Sequence, residues 1–194
     1  NKTDMYDISI VSTMGLTNED VEEVKKISGV ENAIGTYSKD VAVKIRNDDK
    51  EFIFKTIGIS NSINKFVLRS GKMPENNDEC LVEEKFINNT KYNIGDSITF
   101  DDIDNVFKID KLKIVGTINS PLYISMDKGS TNLGSGNIDY YLYIKEDLFE
   151  IDYYTNIYMQ ISSNKDKKTS SYKYRKIVNE VKERIEKIKS EREE

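Results

Sequence analysis

The residue types that usually carry catalysis are almost missing from this chain. Its 194 residues include no histidine and a single cysteine, Cys80. Without imidazole there is no Ser-His-Asp or Cys-His nucleophile, no histidine-ligated zinc and no histidine pH switch. One cysteine forms neither an internal disulfide nor a cysteine-based metal cage. We therefore expect no catalytic residue, no metal site and no cofactor, and a chain that is not an enzyme.

Two segments have part of the composition of a ligand-binding loop. Residues 129–136 read Gly-Ser-Thr-Asn-Leu-Gly-Ser-Gly, but a P-loop ends in Gly-Lys-Ser/Thr and leads into a helix, so a flexible loop is favoured. The acidic stretch 101–104 invites calcium, but it lacks the glycine and glutamate of an EF-hand loop, so a solvated hairpin tip is favoured. The neighbouring Glu83 and Glu84 suit acid–base work only across a cleft, and as residues that start a helix they favour its dipole.

Candidate contact residues are apolar or aromatic. We interpret Tyr141 and Tyr143 as the outward-facing residues of an alternating strand, where they could contact glycans or peptides. Glycines among Ser, Thr and Asn predict a mobile loop over residues 126–137, and exposed apolar residues beside a mobile loop are a common binding arrangement. The candidate partner contacts are Pro121, Leu122, Tyr123, Leu133, Tyr141 and Tyr143.

Composition limits the class of protein. The net charge of -5 and the pI near 5.1 argue against nucleic acid as a partner, because neutralising phosphates requires a basic face. No apolar run is long enough to span a membrane. The polar start at Asn1 and the end at Glu194 without a helix stop signal suggest a soluble segment excised from a longer protein.

Hydrophobic periodicity predicts an α+β fold. Residues 7–13 alternate as a strand, and a helix follows with Thr17 as its N-cap, Asp20 completing a capping box and Gly29 ending it. Residues 41–45 and 51–59 then read as a hairpin. We predict a βαβ-containing sheet subdomain from residues 1–66 and 125–164, with a small β-rich subdomain, residues 67–124, inserted into it.

The last segment, residues 165–194, reads as a linker followed by an amphipathic helix. Its apolar residues are spaced by four and three, as in the seam of a coiled coil. They span barely two heptads, so a coiled coil and a helix that packs on the sheet both remain open. The seam residues are Tyr174, Val178, Val181, Ile185 and Ile188.

The middle of the chain carries an ordered series of short motifs. They are Ser70-Gly71-Lys72-Met73-Pro74, Asn77-Asp78-Glu79-Cys80-Leu81-Val82, Ile94-Gly95-Asp96-Ser97-Ile98, Ile114-Val115-Gly116 and Ser120-Pro121-Leu122-Tyr123-Ile124. In this order, and together with the first strand and helix, the series resembles the extracytoplasmic (MacB-like periplasmic core) domain of FtsX/MacB-type ABC transporter permeases of Gram-positive type. The resemblance covers roughly residues 6–162.

The resemblance implies a non-enzymatic domain on the extracytoplasmic face of the cell membrane. Its partners would be transmembrane helices of the same full-length chain, a separate cytoplasmic ABC ATPase, and an extracellular partner or substrate. It would bind that partner outside and couple the binding to ATP hydrolysis. The C-terminal heptads resemble the start of a coiled-coil insertion of some long relatives. The alternative is a free-standing secreted or surface protein that binds glycans or peptides.

Overall fold

The computed structural model describes residues 6–45, 51–60, 62–63, 66–102, 104–119, 131–134, 136–162 and 167–193. Among these residues, ten strands and three α-helices, with a short 3-10 helix at Glu146–Leu148, confirm the predicted α+β class. In chain order they are β1 (Ile8–Leu16), α1 (Asn18–Lys25), β2 (Val30–Thr36), β3 (Ser38–Lys44), β4 (Glu51–Gly58), β5 (Val67–Gly71), β6 (Glu79–Glu83), α2 (Glu84–Asn89), β7 (Ser97–Asp101), β8 (Lys111–Asn119), β9 (Tyr140–Ile144), β10 (Tyr154–Ile161) and α3 (Lys167–Glu193).

The chain folds as two compact units. The terminal unit consists of Tyr6–Thr36 and Tyr153–Glu194, and the central unit is Tyr37–Asp152. These boundaries differ from the subdomains drawn from the sequence. The hairpin β3–β4 and strand β9 join the sheet of the central unit, because β4 pairs with β3 on one side and in parallel with β9 on the other.

The terminal unit is a three-stranded antiparallel sheet with two helices. The strand order is β1-β10-β2, so β1 and β2 run parallel with β10 between them. Helices α1 and α3 share one apolar core with this sheet. Helix α1 begins at the predicted capping box: Thr17 Oγ1 accepts the Asp20 N–H at 3.3 Å, and Asp20 Oδ2 accepts the Thr17 N–H at 2.7 Å.

The last helix, α3, packs on the sheet of its own unit. Helix α3 buries Ile177, Val181 and Ile185 against residues of β1, β10, β2 and α1, so the helix that packs on the sheet is the alternative observed. Gly29 was predicted to end α1, but the helix ends at Lys25 with Lys26 as its C-cap. Gly29, with φ of +98°, instead turns the chain into β2 beside Ile177. Arg184 of α3 pairs with Glu23 of α1 at 3.2 Å.

The central unit is a seven-stranded mixed sheet in the order β5-β8-β6-β9-β4-β3-β7, with β7 also pairing with β8. Apolar clusters cover both faces of its inner strands. Phe86 of α2 is completely buried in one cluster, where its ring lies 5.1 Å from that of Phe54 and 5.2 Å from that of Tyr140. Every residue of β6 and β9 is buried, as expected for strands inside a sheet covered on both sides.

Candidate functional site

The predicted contact tyrosines lie in the core of the central unit. Tyr141 is 4% exposed and Tyr143 is 2% exposed, so the prediction that they face outward is wrong. The side chains of β9 alternate between two faces of the sheet, and the face that carries Tyr141 and Tyr143 is covered by apolar residues such as Ile53, Ile57 and Leu81. Because tyrosine has a polar hydroxyl, a central strand with tyrosines on one face has the same sequence pattern as a strand with one face in solvent.

The remaining predicted contacts divide into two groups. Leu133 is half-buried and packs against the same cluster as the two tyrosines. It belongs to a closed turn in which the Thr131 N–H bonds to the Gly136 carbonyl at 3.1 Å and the Gly136 N–H to the Leu133 carbonyl at 3.0 Å. Pro121, Leu122 and Tyr123 lie outside the described residues.

The two candidate ligand loops have structural roles wherever they are described. The turn that ends at Gly136 leads toward strand β9 and not into a helix, so the requirement of a P-loop is not met. In the acidic stretch, Asp102 accepts the N–H groups of Val106 and Phe107 at 2.9 and 2.8 Å, and Asp104 pairs with Lys39. Among the described residues no group of histidine, cysteine, aspartate or glutamate side chains is arranged to hold a metal ion.

The carboxylates Glu83 and Glu84 do not form an acid–base pair across a cleft. Glu83 is 2% exposed and its Oε2 accepts the N–H of Tyr141 at 3.0 Å, which ties the end of β6 to β9. Glu84 starts α2 and is exposed, consistent with an acidic residue at the positive end of a helix. The first of the two therefore holds the sheet together, and the second lies in solvent.

The most strongly perturbed carboxylate is Glu79, at the start of β6. It accepts the N–H groups of Glu75 and Asn76 at 2.7 and 2.9 Å and the amide of Asn76 at 3.2 Å. These bonds, together with Lys72 at 3.7 Å, lower the pKa of Glu79 from 4.5 to about 2. Its carboxylate therefore closes the loop before β6. Sequence patterns assign Glu79 no role, because its closest partners are backbone N–H groups of the preceding loop.

Two surface cavities are better candidates for binding. The larger, about 430 Å³ in the central unit, is polar. One of its residues, Asp96, caps a turn by accepting the Asn93 N–H at 2.9 Å. The lining residues are Lys44, Tyr92, Gly95, Asp96, Ser97, Thr99 and Lys111.

The second cavity is an apolar groove of about 300 Å³ in the terminal unit, between β1 and α3. We call it the β1–α3 groove; its lining residues are Ile8, Ser9, Ile10, Val178, Val181, Lys182, Ile185 and Glu186. Three of them, Val178, Val181 and Ile185, belong to the predicted coiled-coil seam and therefore face the unit's own sheet. The sequence indicated that Ile8 and Ile10 share a face, but not that β1 lies at the edge of its sheet.

The seam prediction needs two corrections. Ile177, which the heptad pattern omitted, is 2% exposed and more buried than Val181 and Ile185 on the same helix. Tyr174, which the pattern included, is 41% exposed, and its hydroxyl donates to the Asp7 carbonyl at 3.3 Å. A helix lying on a sheet uses a broad stripe with a period of 3.6 residues, so Ile177, Val181 and Ile185 at four-residue spacing carry the contact.

Comparison with known proteins gives limited similarity. No protein-family model matches the chain, and no curated sequence matches it. The extracellular domain of the noncanonic ABC-type transporter YknZ from Gram-positive bacteria is similar with a TM-score of 0.47 and 14% identity, over 86% of this chain and 86% of that one. The periplasmic region of MacB from Actinobacillus actinomycetemcomitans is similar with a TM-score of 0.45 and 12% identity, over 89% of this chain and 75% of that one.

None of the described helices is long and apolar enough to cross a membrane.

Proposed function

We propose that this chain is the extracytoplasmic domain of an FtsX/MacB-type ABC transporter permease. It binds a partner or substrate outside the membrane and transmits that event through membrane helices of the same full-length chain to a cytoplasmic ABC ATPase. The domain itself performs no chemistry. The ordered motifs between Ser70 and Ile124 are the sequence basis of this proposal.

One structural observation supports it above the others. Strand β1 and helix α3, the first and last described elements, belong to the same folded unit. In a domain between two membrane helices, both connections to the membrane would then enter the same folded unit, and the chain passes between this unit and the central unit at residues 36–37 and 152–153. Such a unit can pass a displacement from outside to the membrane without chemistry.

Helix α3 is the element best placed to carry the displacement. It packs on the core through Ile177, Val181 and Ile185 and is fixed to α1 by the Arg184–Glu23 pair. Within the chain, Pro121, Leu122 and Tyr123, with the half-buried Leu133, remain our proposed partner contacts. The rival function, a free-standing glycan or peptide binder, relied on tyrosines that are buried and so loses its main support.

The full-length protein provides the test. We expect apolar spans on both sides of this segment, recovery in the membrane fraction, and co-purification of an ABC ATPase with the full-length chain. A full-length sequence without flanking apolar spans would refute the proposal.

Coupling is tested by a substitution in the docking stripe of α3. Val181→Asp places a carboxylate in an apolar contact that is 3% exposed and should uncouple ATPase activity from the extracellular domain. The matched control is Tyr172→Ser on the same helix, where the side chain is 75% exposed and coupling should persist. Equal ATPase activity in wild type, variant and control would show that α3 docking plays no part in coupling.

A further inference from the structure

The polar cavity of the central unit opens above the outward face of strand β7. Ser97 and Thr99 lie two residues apart on this strand, so their side chains share one face, and both line the cavity. The residues that alternate with them, Ile98 and Phe100, are buried in the apolar core of the unit. The cavity, at about 430 Å³, falls within the roughly 300–1,000 Å³ that small-ligand sites occupy. Its base consists of small hydroxyl side chains, which leave room for a ligand.

Strand pairing places one lysine on each side of Thr99. In the β7–β8 ladder Thr99 pairs directly with Lys111. In the β3–β7 ladder Val43 pairs with Phe100, so the next residue of β3, Lys44, comes opposite Thr99. Neighbouring strands lie about 4.8 Å apart, so the Cα atoms of the two lysines are about 10 Å apart across β7. Both lysines line the cavity, and their long, flexible side chains can converge on one group above Thr99.

The described residues neutralise the positive charge of this cavity only in part. The carboxylate of Asp96 accepts the Asn93 N–H at 2.9 Å and so closes a turn. Lys44 lies 3.9 Å from Asp101, but the two side chains are 76% and 62% exposed, so solvent weakens the pair. Lys111 is exposed and forms no ion pair with a described residue. An anionic group between the two lysines would therefore be attracted by both of them.

We propose that this cavity binds a phosphate group, with Lys44 and Lys111 supplying positive charge and the hydroxyls of Ser97 and Thr99 donating hydrogen bonds to its oxygens. Lysine binds phosphate as a point charge, and a phosphate has enough acceptor oxygens for all four donors, whereas a carboxylate has only two oxygens. The site goes beyond the proposed function, because neither a membrane nor an ATPase takes part in it. Only the interpretation of the phosphate as an ester carried by an extracellular partner or substrate rests on the proposed function.

A nuclear magnetic resonance titration of the 194-residue chain tests the site. Inorganic phosphate is added to the isotope-labelled chain while sodium chloride keeps the ionic strength constant, so that general screening does not change. The amide resonances of residues 97–99 and of Lys111 should shift and saturate. Those around Lys108, an exposed lysine of the same unit that does not line the cavity, should stay in place. Shifts without saturation, or equal shifts around Lys108, would show an adventitious ion only and overturn the proposal.

Variants with opposite expected effects identify the residues of the site. Lys111→Gln should weaken phosphate binding by about fivefold or more, and Lys108→Gln, which removes the same charge outside the cavity, should leave it unchanged. Lys111→Arg keeps the charge and should retain most of the affinity. Asp101→Asn should strengthen binding, because it removes the carboxylate that lies beside Lys44. Unchanged affinity in Lys111→Gln, or weaker binding in Asp101→Asn, would contradict the assignment.

Two further probes distinguish the source of the phosphate. Glycerol 3-phosphate carries the group as an ester, and acetate is an anion with only two oxygens. Tighter binding of glycerol 3-phosphate than of inorganic phosphate would support an ester of a partner or substrate, whereas the reverse order would support the site and refute the ester. Acetate binding as tight as that of phosphate would overturn the phosphate assignment. Failure of the permease assignment is read separately, from membrane fractionation, and leaves these titrations unaffected.

Discussion

A single methyl group at Gly29 should loosen α3 from the terminal unit. The backbone there has φ of +98°, and a Cβ would lie 2.7 Å from Cδ1 of Ile177, closer than real Cβ contacts. The strained backbone costs about 1–3 kcal/mol and the overpacked contact about 1–3 kcal/mol more. We therefore expect Gly29→Ala to lower the free energy of unfolding by about 2–6 kcal/mol.

A double-mutant cycle isolates the contact from the backbone strain. Ile177→Val removes Cδ1, the atom at 2.7 Å, and should by itself cost about 0.5–1.5 kcal/mol. In that background Gly29→Ala retains its backbone strain but loses the closest contact. The two losses should therefore combine to less than their sum, by about 1 kcal/mol or more.

Urea titration followed by far-ultraviolet circular dichroism measures these losses, since α3 contributes 27 of the helical residues. Gly95→Ala is the matched control: its φ is +102°, but a Cβ there meets nothing within 4 Å, so only the backbone term of about 1–3 kcal/mol applies. Strict additivity of Gly29→Ala and Ile177→Val would refute the packing of α3 described above.

Three further predictions concern the cap, the loop carboxylate and the cysteine. Thr17→Ala removes the N-cap of α1 and should cost about 1 kcal/mol of unfolding free energy in urea titration, while Thr13→Ala on an exposed strand position should be nearly neutral. The pKa of Glu79 is lowered from 4.5 to about 2, so its contribution to the free energy of unfolding is present above pH 4.5 and is lost as the pH falls toward 2. Glu79→Gln should therefore reduce the dependence of the unfolding free energy on pH between 4.5 and 2. The exposed control Glu84→Gln should leave that dependence unchanged. Burial raises the pKa of the Cys80 thiol, so alkylation at neutral pH should be slow in the folded chain and fast in urea, and rapid native labelling would contradict this burial.

The elements that the sequence predicts best are those whose signal is local. The capping box of Thr17 and Asp20 involves residues three apart and starts α1 as predicted. The β3–β4 hairpin likewise joins neighbouring segments. In each case the physical cause lies within a few residues, so no tertiary information is needed.

The partner of a strand and the cover of its second face are not local properties. Residues 140–144 alternate in a way that any half-buried strand shares, yet β9 lies between β4 and β6 with both faces buried. For the same reason, the sequence did not show that β3, β4 and β9 belong to the central unit or that Tyr141 and Tyr143 are buried. A contact surface inferred from alternation alone depends on which sheet a strand joins, and that choice is made by long-range packing.

Helix α3 shows why a short heptad pattern leaves its partner undetermined. The seam predicted from spacing shares Val178, Val181, Ile185 and Ile188 with the packed face, but Ile177 replaces Tyr174 as the anchor. A 3.5-residue seam and a 3.6-residue stripe drift apart by only about 20° over one heptad, so two heptads cannot distinguish them. The neighbouring elements decide instead: Gly29, without a side chain, leaves room for Ile177, and Glu23 meets Arg184. Both features lie on the first helix and its exit turn, more than a hundred residues before α3, so the docking of α3 is encoded at the opposite end of the sequence from the helix itself.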